Sequence, residues 1–344
     1  MSEGMTTPVL EISELVKDYV TRDAKLNKRV SRAVDGVSFR VEPRQTYAIV
    51  GESGSGKSTV GRVVLKLTDA TSGEVSLLGT DVVDLSERRF RPHRSSIQMV
   101  FQDPLAAFDP RATIRSSLRE FVDLKGDLDR EAQEAAIDEA IRDVGLDPGL
   151  ADRKPAEVSG GQLQRLSIAR ALLVSPQVVF LDEPTSSLDV SIRGQIVNVL
   201  LDRQERDGFA YLLVTHDLRV VYAMANRVAV MYLGQFVEVG SRDQVYAAAK
   251  HPYTRGLLDA AALDEPALPG ERVRLRGELT EEAALVAGCR LTTRCPYAED
   301  RCDEPQELRE VESGHFVRCW KAVEQPVSIG LPGGVGDGAA AAEE

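Results

Sequence analysis

Long apolar runs are missing from this 344-residue chain, and no segment approaches the roughly 20 consecutive apolar residues that cross a bilayer. A basic surplus is missing as well. The formal net charge is −12, which argues against a nucleic-acid partner, because phosphate contacts need clustered Lys and Arg. The basic stretches that exist, residues 25–32 and 87–94, are short and read as solvated loop or helix faces. The first eight residues lack the basic-then-apolar order of a secretory signal, so a cytosolic chain is expected, held at any membrane by a partner. No internal repeat is present, which excludes a tandem pair of equivalent units. Cysteine is absent from the first 288 residues; Cys289, Cys295, Cys302 and Cys319 all follow. In a reducing cytosol such a cluster points to a metal rather than to disulfides.

The length exceeds one average domain and 43% of the residues are hydrophobic, so one large domain plus an appendage is expected. Alternation predicts strands near residues 9–12 and 37–41, and apolar runs predict others at 47–50, 75–79, 178–181, 211–214 and 227–233. Helical spacing covers 59–67 and 190–203. A face of Ala132, Ala135, Ala136, Ile137, Ala140, Ile141 and Val144 predicts an amphipathic helix over 130–146, and another helix is expected over 162–174. Residues 90–174 thus read as a mainly helical insertion. Strands alternating with helices imply an α/β fold with a largely parallel sheet covered on both faces. The expected organisation is a core over 9–250, a C-terminal region without a long helix over 251–325, and a disordered glycine- and alanine-rich tail over 326–344.

The apolar strand at 47–50 runs into Gly51-Glu-Ser-Gly-Ser-Gly-Lys-Ser58, which fits G-x-x-x-x-G-K-[ST] in the strand-to-helix setting that motif needs. Gly51, Gly54 and Gly56 let backbone N–H groups turn inward around an anion, together with those of Ser53, Ser55 and Thr59. The following helix adds its positive end. Lys57 is expected to reach the outer phosphates of a nucleoside triphosphate and the Ser58 hydroxyl to ligate Mg²⁺. A second apolar strand ends in Asp182-Glu183. Asp182, at the tip, is the expected Mg²⁺ ligand; Glu183, projecting differently, is the expected base for the attacking water.

Val158-Ser-Gly-Gly-Gln162 resembles the signature sequence of ABC ATPases, and the rest of that family's set follows in order. Gln102 matches the Q-loop glutamine, Ser187-Leu-Asp189 the D-loop, and His216 the switch histidine. The resemblance implies an ABC-type P-loop ATPase core, a mixed sheet with flanking helices, carrying a helical signature subdomain. It implies two such domains sandwiching two ATP molecules, with Ser159, Gly160, Gly161 and Gln162 of one subunit facing the phosphate loop of the other. Gln102 would sense γ-phosphate and Mg²⁺, and His216 would stabilise the transition state. Tyr19 stands as the candidate adenine platform, by analogy with an N-terminal aromatic of the family.

Several stretches are similar to the oligopeptide, dipeptide and nickel importer branch: 33–39, Gly51-Glu-Ser-Gly54, 101–111, and His251-Pro-Tyr-Thr-Arg-Gly-Leu-Leu258. The likeness spans roughly residues 9–322. The sequence departs from it at 107–110 and 280–287, which bears on partners and not on ATP chemistry. What the resemblance implies is uptake of peptides, with nickel complexes and oligosaccharides as alternatives. Its implied partners are two transmembrane permease subunits, a second ATPase subunit (self or paralogue) and, indirectly, an extracytoplasmic substrate-binding protein. The expected location is the cytoplasmic face of the membrane. A non-transport ATPase acting on ribosomes or DNA is the alternative class. The four cysteines resemble that branch's C-terminal set, in which some members carry a [4Fe–4S] cluster; zinc and free buried thiols stand as the other readings.

Overall fold

The computed structural model describes residues 7–22, 28–124, 126, 128–186, 188–261, 272–278 and 280–325. The tail expected over 326–344 and Ser187 of the D-loop lie outside the described residues.

Strands β1 (Leu10–Arg22) and β2 (Lys28–Val41) pair antiparallel. β3 (Thr46–Val50) leads into helix α1 (Lys57–Val64). β4 (Ser72–Leu77) and β5 (Thr80–Asp81) complete a four-stranded antiparallel sheet in the order β2-β1-β4-β5. After the short helix α2 (Glu87–Phe90) comes β6 (Ile97–Val100). Helices α3 (Ile114–Asp123), α4 (Arg130–Asp143) and α5 (Gly160–Leu173) then pack around Ile114, Leu118, Val122, Ile137, Ile141, Leu163 and Leu166. Each begins at a side-chain cap, Thr113, Asp129 and Ser159 respectively.

The chain returns to the sheet with β7 (Val178–Asp182), α6 (Val190–Asp207), β8 (Ala210–Thr215), α7 (Leu218–Met224) and β9 (Arg227–Tyr232). β10 (Gln235–Ser241), α8 (Arg242–Ala248), α9 (Pro252–Ala261), β11 (Arg309–Glu312), β12 (His315–Val317) and α10 (Trp320–Glu324) follow. The large sheet has eight strands in the order β11-β12-β10-β9-β3-β8-β7-β6. The five from β9 to β6 are parallel, and β10, β12 and β11 are antiparallel.

Every residue of β3, β7 and β8 is buried. Because side chains alternate across a strand, Tyr47 and Ile49 join one core with α1 and the antiparallel sheet, while Ala48 and Val50 join another with α5, α6 and α7. A sheet buried on both faces needs apolar residues at every position, which is why these strands read as continuous runs.

Three expectations are corrected. The helical insertion begins after residue 100, not at 90, because Ile97–Val100 is the edge strand of the large sheet, paired in parallel with β7. Residue 250 is not a seam: Val317 and Phe316 of β12 pair with Glu238 and Val239, so the C-terminal region extends the core sheet and covers its edge. A ten-residue helix, α9, also occurs where no long helix was expected. Its interior Gly256 hid it, and the structure explains the glycine: a Cβ there would stand 2.9 Å from Leu275 Cγ.

Candidate active site

The phosphate loop leaves the C-terminal end of β3 and closes on the first turn of α1. Glycine is required at its two ends by space. A Cβ on Gly51 would lie 2.2 Å from Met231 O, and one on Gly56, which also has φ +105°, would lie 2.1 Å from Ala33 O. Ser53 and Gly54 are exposed at the tip, Ser55 is buried, and Thr59 N–H donates back to Gly56 O at 3.1 Å. Lys57 is 5% exposed. Its Nζ donates to Gly51 O at 2.9 Å, Glu52 O at 2.8 Å and Ser55 Oγ at 3.3 Å. Burial holds the ammonium pKa below its ordinary value, opposed by the nearby Glu183, Asp182 and Glu52 carboxylates. A buried cation ringed by oxygens is a cradle matched to an anion.

Three parallel strands bring the remaining groups to one edge, where open α/β sheets place their ligands. Asp182 ends β7 and accepts from Ser58 Oγ at 2.7 Å. Burial raises its pKa, while the Ser58 hydrogen bond works the other way. Ser58 and Asp182 offer adjoining hard oxygen donors beside the phosphate cradle, and that donor set fits Mg²⁺. Glu183, the next residue, has φ +46°, a left-handed conformation that side chains rarely adopt, and its N–H donates to Val214 O at 2.8 Å. The twist separates its carboxylate from that of Asp182. Gln102, just beyond β6, donates through Nε2 to Glu183 Oε2 at 3.1 Å; His216, just beyond β8, meets Oε1 through Nδ1 at 3.1 Å. Glu183 thus carries one neighbour on each oxygen, with 15% of its side chain exposed against 59% for His216.

The signature turn lies apart from this group. Ser159 and Gly160 are exposed at the start of α5, where Ser159 and Gln162 form a reciprocal capping box. Gly161 is buried, with Ile192 of α6 3.0 Å from where a Cβ would stand. Asp189 is exposed at the start of α6, and Val190 beside it is 75% exposed. Among the described residues, no hydrogen bond or ion pair joins 159–162 to the phosphate loop. Tyr19 is half-buried in the antiparallel sheet, opposite Ser31, with the Lys17 ammonium 5.0 Å from its ring centroid.

The four cysteines come together as free thiols around one cavity of about 20 Å³, shared with His251, Tyr297 and Lys321. Burial pushes Cys289 up to about 12 and Cys295 up to about 11, and raises Cys319, so these thiols are neutral at pH 7. Trp320 Nε1 donates to Cys302 Sγ at 3.4 Å. The four thiols match the donor count of the expected [4Fe–4S] cluster, while among the described residues no three His, Cys, Asp or Glu side chains are set to hold one ion.

Some supporting residues escaped the sequence reading. Arg170 of α5 is buried, donates to Ala107 O, and stacks near Phe101, Phe108 and Phe121, its centre 4.6 Å from the Phe121 ring centroid. Gln164 donates to Phe101 O at 3.4 Å. The signature helix therefore grips the segment that carries Gln102. The available signal was a lone arginine in the apolar run Ile168-Ala-Arg-Ala-Leu172. Arg193 ties the D-loop to the switch segment, pairing with Asp217 and donating to Leu188 O at 3.3 Å.

A glycine loop closing on a helix beside a strand tipped with two carboxylates defines a P-loop ATPase. The family described as ABC transporter matches residues 34–186, and the one described as oligopeptide/dipeptide transporter, C-terminal region, matches 237–302. A putative peptide import ATP-binding protein of Brucella ovis is 43% identical over 91% of this chain and 98% of its own length. The oligopeptide transport ATP-binding protein AppF of Bacillus subtilis is 40% identical over 93% and 99%. The dimeric ATP-binding cassette MJ0796, solved in a post-hydrolysis state with ADP and Pi, superposes with a TM-score of 0.62 at 27% identity, covering 68% of this chain and 98% of that one. The chain belongs to the ABC transporter ATP-binding proteins, in the branch that carries the oligopeptide/dipeptide C-terminal region.

Proposed function

We propose that this chain is the ATP-hydrolysing subunit of a peptide importer and that its catalytic centre is the Glu183 carboxylate held between Gln102 and His216. The observation that carries this reading is that double hydrogen bond beside Lys57 and the Ser58–Asp182 pair. Lys57 and the N–H groups of the loop other than that of Glu52 bind the phosphates. Ser58, Asp182 and Gln102 would hold Mg²⁺, which when bound offsets the charge developing on the phosphates. Glu183 orients the attacking water and takes its proton. His216 donates toward the γ-phosphate oxygens.

The exposed Ser159–Gly160 turn completes the site of a second ATPase subunit, its own or a paralogue, and Asp189 lies at that same contact. Tyr19 is the candidate adenine contact. Peptide as cargo rests on what the relatives are called; two permease subunits, and an extracytoplasmic binding protein beyond them, complete the assembly. Among the described residues no helix is long and apolar enough to cross a membrane; the permeases would hold the chain at the cytoplasmic face.

In Glu183→Gln, steady-state phosphate release is expected to fall by about 10³-fold, while MgATP binding persists and nucleotide-loaded dimers accumulate. Wild-type turnover in that variant would remove Glu183 as the base. Co-purification with permeases, followed by uptake of labelled dipeptide, nickel or oligosaccharide, identifies the cargo.

A further inference from the structure

The phosphate loop is held from behind by the cysteine-bearing C-terminal region. Glu52, second in the loop, has all its polar groups engaged. Its N–H donates to Tyr253 Oη at 2.9 Å, its carbonyl accepts from Lys57 Nζ at 2.8 Å, and its carboxylate accepts from Arg294 Nη1 at 3.0 and 3.1 Å. The arrangement is shielded from water: Tyr253 is buried, and the Arg294 and Glu52 side chains are 11% and 30% exposed. Arg294 also lies against Tyr232, whose ring packs on Tyr253 with centroids 4.6 Å apart.

A second arm reaches the loop's other flank. Arg290 pairs with Asp35 and donates to Leu233 O. Asp35 N–H donates to Gly234 O, and Gly234 N–H donates to Ser55 O of the loop at 2.8 Å. Both arginines come from the turn bounded by Cys289 and Cys295, where Arg294 N and Cys295 N share Leu291 O as acceptor.

We infer that Arg294 and Tyr253 are positioning residues for ATP binding: they fix Glu52, and through its carbonyl the Lys57 ammonium, so that the C-terminal region sets the nucleotide affinity of the loop. The physical reason is entropic. A loop whose donors are already aimed loses less freedom when the phosphates arrive. Both residues act through Glu52 and not as nucleotide ligands, so the expected signature is weaker binding with turnover at saturation largely kept. This inference rests on residues 51–59 being the nucleotide site. MgATP binding by the wild-type chain tests that reading, and the variants test the clamp.

The experiment measures Kd for MgATP and for MgADP, together with KM and kcat, on the full-length chain. Arg294→Ala is expected to weaken both nucleotides by about tenfold, the worth of a charge-assisted hydrogen bond, with kcat within about threefold of wild type. Arg294→Lys should recover part of the loss, and Tyr253→Phe should cost about threefold. Glu52→Gln, which keeps the loop's shape, should reproduce the Arg294→Ala loss, and the double variant should bind no worse than either single one. Wild-type affinity in Glu52→Gln, or losses that add in the double variant, would overturn the clamp. Should Arg294→Ala fail to fold, Glu52→Gln and Arg294→Lys decide alone.

Discussion

The phosphate loop and the signature turn are both glycine-bearing starts of helices, and the chain treats them in opposite ways. The loop is enclosed: carbonyl oxygens of Met231 and Ala33 crowd Gly51 and Gly56, and Lys57 makes three hydrogen bonds at 5% exposure. The turn is presented outward. Ser159 and Gly160 are exposed, a Cβ on Gly160 would meet nothing within 4 Å, and among the described residues the polar side-chain bonds there cap the helix itself. A glycine with no steric need for glycine in its own chain is explained by what approaches it from outside. On the proposed reading, the enclosed loop is one half of a site and the open turn completes a neighbour's.

The largest effect that could break this contrast lies in the loop. Lys57→Ala removes the cation proposed to face the phosphates, and hydrolysis measured as phosphate release should fall by about 10²–10³-fold. A rate within tenfold of wild type would mean that the enclosed cradle is not where the phosphates sit.

The next test sharpens the contrast from the open side. Gly160→Glu has room for its side chain in the isolated subunit, so the unfolding free energy should change by no more than about 0.5 kcal/mol. Hydrolysis should nonetheless fall by about 100-fold, because a carboxylate would face the neighbour's phosphates. Wild-type turnover in this variant, with nucleotide-driven association intact, would separate the turn from the catalytic site.

How much of this was legible in the sequence follows from the range of the forces involved. The loop was readable because its residue types answer local needs: glycine where backbone crowds, lysine and serine in the pattern a phosphate and its metal require. The buried strands β3, β7 and β8 were readable as unbroken apolar runs. The four-residue edge strand β6 was not, since Ile97-Gln-Met-Val carries too little pattern to separate it from the helices that follow. The joining of Glu183 to Gln102 and His216, 81 and 33 residues away, depends on the parallel order of β6, β7 and β8. Only the family's ordered motifs made it accessible. The pairing of β12 with β10 and the contacts of Arg294 and Arg290 had no local signature at all. They are long-range ion pairs and strand addition, set by tertiary contact and not by local pattern.

The smallest effect reaches the loop from behind and should leave the signature turn untouched. His251 is 1% exposed, and its Nδ1 accepts the N–H of Tyr253, the residue whose hydroxyl holds Glu52. Burial pulls its pKa down to about 4; the Glu238 carboxyl group opposes this, and the Arg318 charge adds to it. The imidazole is therefore neutral in the fold, whereas an unfolded chain takes up a proton near pH 6.5. As pH falls through about 6.5 the unfolded state binds the extra proton and stability declines, until the folded state is protonated too near pH 4. Between pH 6.5 and 5 the loss should be about 1.5 kcal/mol, read as a drop in the urea midpoint. His251→Asn keeps an acceptor for an N–H two residues on and removes the titration, so its midpoint should lose correspondingly less over the same interval. An undiminished acid response in that variant would assign the effect to other groups and leave the enclosure of the loop independent of His251.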